Sequence, residues 1–304
     1  MIKNHLIAGV AALFCSAALF AQSRPAYALV NVSVACVREN PGHSSELGSQ
    51  QLLGYPVEII SKNSDGWSEV KTIDGYHGFI INNSLKPIDE SEYARWRASN
   101  RVVFSALTEG KIFSDTLSAS EPVSDIVPGA ILASSGQFGA WHRVTLPDGR
   151  IGFVRDNDVT PIGEWASQEY DAEKILNFAR ASMGTPYLWG GTSVKGFDCS
   201  GLTWCAYLMN GRILPRNASA QARISENHIS VDDALTPGCL LFFANKRGRI
   251  NHVGVAESEE CFIESAGRVR RSNVTDASKR GYVFAISLND YPAVADSDVA
   301  KWLF

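Results

Sequence analysis

Apolar and polar positions alternate through residues 29–88, in the runs VNVSVACVREN, YPVEIISKN, GWSEVKT and YHGFIINNSLKPI, with turn signals at Pro41-Gly42, Asp65-Gly66 and Asp74-Gly75. Period two broken by Gly-containing turns predicts short antiparallel strands closing a small barrel. The polar stretch DESEYARWRASN over 89–100 reads as a helical connector. Residues 101–163 then repeat the scheme: AWHRVTLPDGRIGFVRDNDVTPI follows GWSEVKTIDGYHGFIINNSLKPI almost position for position, which marks an internal duplication and a second barrel. From about Glu164 the period changes. SQEYDAEKILNFARASM has helical spacing, a second helix-like run opens at Cys199, and strand-like runs follow at GCLLFFA, NHVGVAES, ECFIESAG and YVFAISL. Helices followed by strands predict an α+β domain over 164–304 with an antiparallel sheet.

The first residues, MIKNHLIAGVAALFCSAALFAQS, combine Lys3, an apolar stretch from Leu6 to Phe20 and small residues, with a cut expected after Ala21 and a second candidate after Ala28. This is the pattern of a secretory signal over 1–21, too short for a spanning helix of about 20 residues. The bulky Phe14 before Cys15 disfavours lipidation there. The mature chain is therefore expected to be exported, to the periplasm or beyond the cell, without an integral membrane segment and as a monomer. A formal net charge of −4 with no Lys/Arg run argues against nucleic acid as a partner. Six cysteines become five once Cys15 leaves, and Cys36, Cys205, Cys239 and Cys261 stand at spacings that fit no zinc pattern. No metal and no cofactor are expected; a disulfide among these four stays open.

The stretch GGTSVKGFDCSGLTWCAYL carries the candidate chemistry. A Gly-rich approach and Asp198 in an N-cap position place Cys199 in the first turn of a helix, where unpaired N–H groups and the helix dipole favour a thiolate. The competing reading of such a cysteine is a small core residue, and Cys205, one and a half turns on among apolar neighbours, is read that way. A cysteine nucleophile needs a base, and histidine is the usual one. His5 falls in the signal, His43 and His77 in the first barrel, His142 in the second and His228 in a polar loop. His252 opens an apolar strand in the same domain as Cys199 and is the best candidate. Glu264, on the next strand, is the candidate to hold the imidazole tautomer, at a spacing that suits a short hairpin returning beside its start.

With these residues in hand, the third domain resembles the NlpC/P60 family of papain-like cysteine peptidases. The matching blocks are GTPYLWGG (184–191), GFDCSGL (196–202), LPRNASAQA (214–222), PGCLLFF (237–243), NHVGV (251–255) and FIESAG (262–267). The two N-terminal modules resemble bacterial SH3 domains, and the arrangement is similar to the dipeptidyl-peptidase VI type of γ-D-glutamyl-L-diamino acid endopeptidase. The resemblance implies hydrolysis of the γ-D-glutamyl bond to diaminopimelate or lysine in murein peptides, on fragments with a free N-terminal L-alanine. It implies Cys199 as nucleophile, His252 as base, Tyr187 beside the cysteine, Asp198 and Ser200 in the substrate pocket, and Glu46 and Tyr76 of the first barrel as pocket walls. Four positions depart from the family pattern: besides the two that follow, Ala218 stands where a serine is common and Cys239 where an aspartate is usual. Glu264 stands where histidine is common, and Asn217 stands where the subgroup has an aspartate for the substrate's ammonium. A wall-peptide-binding protein with weakened or lost catalysis is the competing class of function.

Overall fold

The structure is a computed structural model that describes residues 27–62, 65–117 and 120–304; the expected signal over 1–21 lies outside them. The first repeat forms β1 (Tyr27–Val30), β2 (Val34–Arg38), β3 (Leu47–Leu52), β4 (Pro56–Lys62), β5 (Trp67–Lys71), β6 (His77–Ile81) and β7 (Leu85–Ile88). They make one antiparallel sheet in the order β3-β2-β6-β5-β4-β1-β7. Alternation is the cause: in β2, Ala35 and Val37 are buried between half-exposed neighbours, and both join a core with Val30, Val57, Val70 and Ile80. The connector is helix α1 (Glu90–Ala98), started by a capping box in which Asp89 and Glu92 bond each other's backbone N–H.

The second repeat forms β8 (Arg101–Phe104), β9 (Gly110–Phe113), β10 (Pro122–Ile126), β11 (Ile131–Phe138), β12 (Trp141–Thr145), β13 (Ile151–Arg155) and β14 (Val159–Pro161). Their order, β10-β9-β13-β12-β11-β8-β14, repeats the first sheet strand for strand. The two sheets touch directly. Leu53 sits in the core of the second, its carbonyl accepts the Ile131 N–H at 2.9 Å, and Gly54, at φ +81°, lies so close to the Ile131 carbonyl that no side chain fits.

The remaining chain adds α2 (Ile162–Ala166), α3 (Ala172–Ala181), the short ribbon β15 (Thr192–Ser193) and β16 (Gly196–Phe197), α4 (Cys199–Leu208) and α5 (Ala218–Gln221). A six-stranded antiparallel sheet follows, in the order β17-β22-β18-β19-β20-β21, from β17 (His228–Ile229), β18 (Leu240–Ala244), β19 (Ile250–Ala256), β20 (Cys261–Ala266), β21 (Arg268–Asn273) and β22 (Tyr282–Ile286). Two of these strands are absent from the sequence expectation. β17 is only two residues in a polar loop, and β21, RVRRSN, has a single buried apolar residue, Val269.

All ten residues of α4 are buried, so the helix is covered on every side; its apolar residues join the main core, and its hydroxyls on Ser200, Thr203 and Tyr207 are hydrogen-bonded. It packs on α3, β19, β20 and β15. Trp165 Nε1 donates to the Leu208 carbonyl at 2.7 Å, which fixes the far end of α4. Gly129 of the second sheet and Leu52 of the first close on Leu208. Both sheets thereby hold the helix that carries Cys199. A seam elsewhere joins α1 to residues 301–304: Tyr93 Oη donates to the Trp302 carbonyl at 2.7 Å, and Arg97 donates to the carbonyls of Lys301 and Phe304. Among the described residues no helix is long and apolar enough to cross a membrane.

Candidate active site

Asp198 is the N-cap of α4, and Cys199 is its first helical residue, only 8% exposed. The Asp198 carboxylate accepts the Gly201 N–H at 2.7 Å and, from the incoming loop, the Gly190 N–H at 3.0 Å. Arg216 takes both of its oxygens, at 2.5 and 3.1 Å, in a pair with almost no exposure. The same guanidinium donates to Ser200 Oγ and, across the domain boundary, to Ser49 Oγ, both at 3.0 Å. The cap is therefore a buried, charge-assisted network that sets the direction of the helix start. Asp198 and Ser200 line the cleft, but their polar atoms are already committed to this network.

His252 lies on β19 and faces Cys199. Its Nε2 is 2.6 Å from Oε2 of Glu264, which leaves Nδ1 for the thiol. Val255 pairs with Ile263, so one step further Glu264 stands opposite Gly254 and reaches His252 along the diagonal, not directly across the hairpin. Burial disfavours a charged imidazole here. Hydrogen bonds and attraction from Cys199 and Glu264 outweigh it, so His252 is raised to about 9. Glu264 is 0% exposed; burial pushes its carboxyl up, but bonds from His252, Arg280 and Ser272 overcome this and hold it well below the usual carboxylate range.

Cys199 opens into a cleft of about 350 Å³. Tyr187 flanks it, its phenol pushed up to about 12 by burial and by the neighbouring Cys199 and Asp198, so it is a proton donor throughout the neutral range. Asn217 lines the cleft from the N-cap of α5 with no capping bond from its side chain. The far end is formed by the first sheet, through Glu39, Glu46, Gly48 and Tyr76. The structure thus brings together in one cleft, or directly behind it, all nine residues singled out above.

Three further residues were missed. Glu39 accepts a short hydrogen bond from Tyr76 Oη, and its backbone N–H bonds the Glu46 carbonyl, so the two acids flank the neck of one hairpin. The β2–β3 pairing of the strand pattern was the signal that joins them. Trp189, 60% exposed, lines the cleft and stood inside a matched block. Arg216 also stood inside a matched block, LPRNASAQA, but nothing along the chain said that it would face Asp198. Gly48 explains how close the acidic end can pack: a Cβ there overlaps Tyr76 Oη and Glu39 Oε1. Both are flexible side-chain ends, so Gly48→Ala should raise KM several-fold with kcat and melting temperature nearly unchanged, read by steady-state kinetics and thermal melts.

All five described cysteines, Cys36, Cys199, Cys205, Cys239 and Cys261, are free. Cys205 is buried and donates to the Thr192 carbonyl. Among the described residues no group of three His, Cys, Asp or Glu side chains is arranged to hold a metal ion.

Comparison with known proteins places these features. Residues 184–286 match the NlpC/P60 family and residues 33–86 the bacterial SH3 domain. The chain is 31% identical over 226 residues to dipeptidyl-peptidase 6 of Lysinibacillus sphaericus, covering 71% of this chain and 81% of that protein. It is 25% identical over 262 residues to a γ-D-glutamyl-L-lysine dipeptidyl-peptidase of Bacillus cereus, covering 79% and 74%. The crystal structure of an NlpC/P60 family protein from Bacillus cereus has the same fold, with a TM-score of 0.75 at 23% identity over 86% of this chain and 99% of that one.

Proposed function

The chain belongs to the NlpC/P60 family, and from that premise we propose that it is a cysteine endopeptidase that hydrolyses the γ-D-glutamyl bond to the diamino acid in murein peptides bearing a free N-terminal L-alanine. The observation that carries this reading is Cys199 at a helix start, against His252 and Glu264, in a cleft whose other end holds two carboxylates.

The chemistry follows from the geometry. His252 holds the proton of the Cys199 thiol as an ion pair at neutral pH, and Cys199 Sγ attacks the γ-carbonyl carbon. The oxyanion that forms is met by the Cys199 N–H, which has no acceptor within the first turn of α4, with the Tyr187 hydroxyl as a nearby second donor. His252 then returns its proton to the departing amine, leaving a thioester. Water, deprotonated by the same imidazole, hydrolyses it and frees the thiol. Glu264 stays ionised throughout and keeps the ring oriented.

The acidic end gives selectivity. Glu39 and Glu46 supply carboxylates at the depth where a short peptide's ammonium would sit, and they offset the missing charge at Asn217. The first repeat closes the cleft there, so longer glycan-linked stems are disfavoured. The second repeat, with its identical strand order, is read as another SH3-like barrel that supports α4. Export of the chain, inferred from its leader pattern, puts it in the compartment of its substrate.

Mass-spectrometric turnover of L-Ala-γ-D-Glu-diaminopimelate beside its N-acetylated twin tests the proposal. Cleavage of the free-amine peptide is expected, with the acetylated twin cut poorly. Equal cleavage of both, or of neither, overturns it. Asn217→Asp should sharpen the preference, because charge-assisted bonds exceed neutral ones by about 1 to 2 kcal/mol, roughly tenfold in relative kcat/KM.

A further inference from the structure

Glu264 does not serve His252 alone. Its Oε2 is shared between His252 Nε2 at 2.6 Å and Arg280 Nη2 at 2.7 Å. Its Oε1 accepts from Arg280 Nη1 at 2.8 Å, Ser272 Oγ at 2.6 Å and Arg270 Nε at 3.2 Å. We propose that Arg280 is a positioning residue for the catalytic pair: by gripping both oxygens of Glu264 it fixes the carboxylate against His252 and, beside the more exposed Arg270, offsets its charge. This rests on the reading of Cys199 and His252 as the reacting pair.

Three observations separate Arg280 from an ordinary surface partner. The contact is a two-pronged fork onto both oxygens, the geometry in which a guanidinium specifies orientation as well as energy. Arg270, by contrast, bonds only the oxygen remote from His252, and its side chain is the more exposed of the two. Finally, the Arg280 guanidinium lies over the Phe243 and Phe262 rings, at 5.5 and 5.9 Å. Phe243 also packs on His252, with ring centroids 5.2 Å apart, so one aromatic side chain registers both the guanidinium and the imidazole.

The arrangement accounts for a carboxylate at a position where the family commonly has histidine. A bare buried carboxylate against an imidazole binds the shared proton too firmly for a group that must give it back. A guanidinium on the same carboxylate weakens that hold while leaving the hydrogen bond in place. The charged groups facing this site are few. Cys199 faces His252 from α4, Arg270 faces Glu264 from β21, and Asp276, itself paired with Lys279 at 3.2 Å, faces Arg280.

The test reads the imidazole without any peptide substrate, so it stands apart from the question of which bond is cut. Alkylation of Cys199 by iodoacetate, an anion drawn by the imidazolium, is followed against pH in the full chain. Removing the cation in Arg280→Met should strengthen the imidazolium and move the alkaline limb up by about one pH unit. Peptide kcat should fall about tenfold with KM unchanged. Arg280→Lys should return the limb to its original place but recover only part of kcat, because an ammonium cannot fork. In a Glu264→Gln background, Arg280→Met should no longer move the limb. A limb unmoved in Arg280→Met despite a lowered melting temperature would make Arg280 a structural ion partner only. If Arg280→Met does not fold, a full wild-type kcat in Arg280→Lys sinks the fork argument on its own.

Discussion

Cys199→Ala should lower turnover of L-Ala-γ-D-Glu-diaminopimelate by at least about 10⁴-fold while leaving the melting temperature within a degree or two. The size of the loss follows from what remains. Without the sulfur no thioester forms, and only binding and the oxyanion donors are left, which in comparable hydrolases amount to a small residue of the whole. The small effect on stability follows from Cys199 standing at the edge of the buried helix, open to the cleft, and not inside it as Cys205 is. His252→Ala should match it in turnover. The pH dependence has a fixed sign. Because His252 is raised to about 9, its charged form persists through neutrality, so turnover and iodoacetate alkylation should hold across that range and fall as pH rises through about 9. Stability shares that direction: the contribution of charged His252 is complete below the ordinary histidine value near 6.5 and is lost as pH climbs to about 9. A Cys199→Ala variant that retains turnover would remove the thiol from the chemistry altogether.

Arg216→Met should be the most destabilising single change near the cleft. It strips the cation from a carboxylate that has almost no access to water, and breaking such a buried pair costs about 3 to 5 kcal/mol. In a domain of this size that is a fall of roughly 10 °C or more in melting temperature. The exposed pair Arg150–Asp148 is the internal comparison: losing it should cost no more than about 1 kcal/mol. Activity should fall with Arg216→Met beyond what instability explains, because Asp198 is both the partner of Arg216 and the cap that aims Cys199. Adding Asp198→Asn should recover part of the lost stability, since the uncompensated charge is then gone. Thermal melts by circular dichroism on the two single variants and the double variant decide it, and a loss under about 1 kcal/mol for Arg216→Met would show that water reaches Asp198.

What the sequence displays of this site is what depends on neighbours along the chain. Asp198, Cys199 and the apolar run behind them announce a capped helix, and alternation announces β19 and β20, so the elements that bring Cys199 and His252 together were legible. The repeat was legible for the same reason, because each strand carries its own period and its own turn. The residues that complete the site act over distance. Glu39 meets Tyr76 only because a hairpin and a third strand converge, and Arg216 reaches both Asp198 and Ser49 across a domain boundary. β21 escaped notice because three arginines in six residues look like solvated surface, yet one of them, Arg270, stands over Glu264. Arg280, sixteen residues beyond Glu264, returns to it through β21, a short helix over Val274–Ala277 and a final helical turn, Ser278–Arg280, whose polar sequence gives no sign of the contact. Charge in a sequence does not say which charge it will face.

The seam between α1 and residues 301–304 bears on the order in which contacts can form as the chain is made. Tyr93 and Arg97 leave the ribosome about two hundred residues before the carbonyls they will bond. Each of the two seven-stranded sheets pairs strands of its own repeat and can form as that repeat emerges, whereas this seam must wait for residues 301–304. Tyr93 and Arg97 therefore meet these carbonyls only after residues 301–304 are made, so the contact that ties the first third of the chain to its last residues is among the latest that synthesis permits.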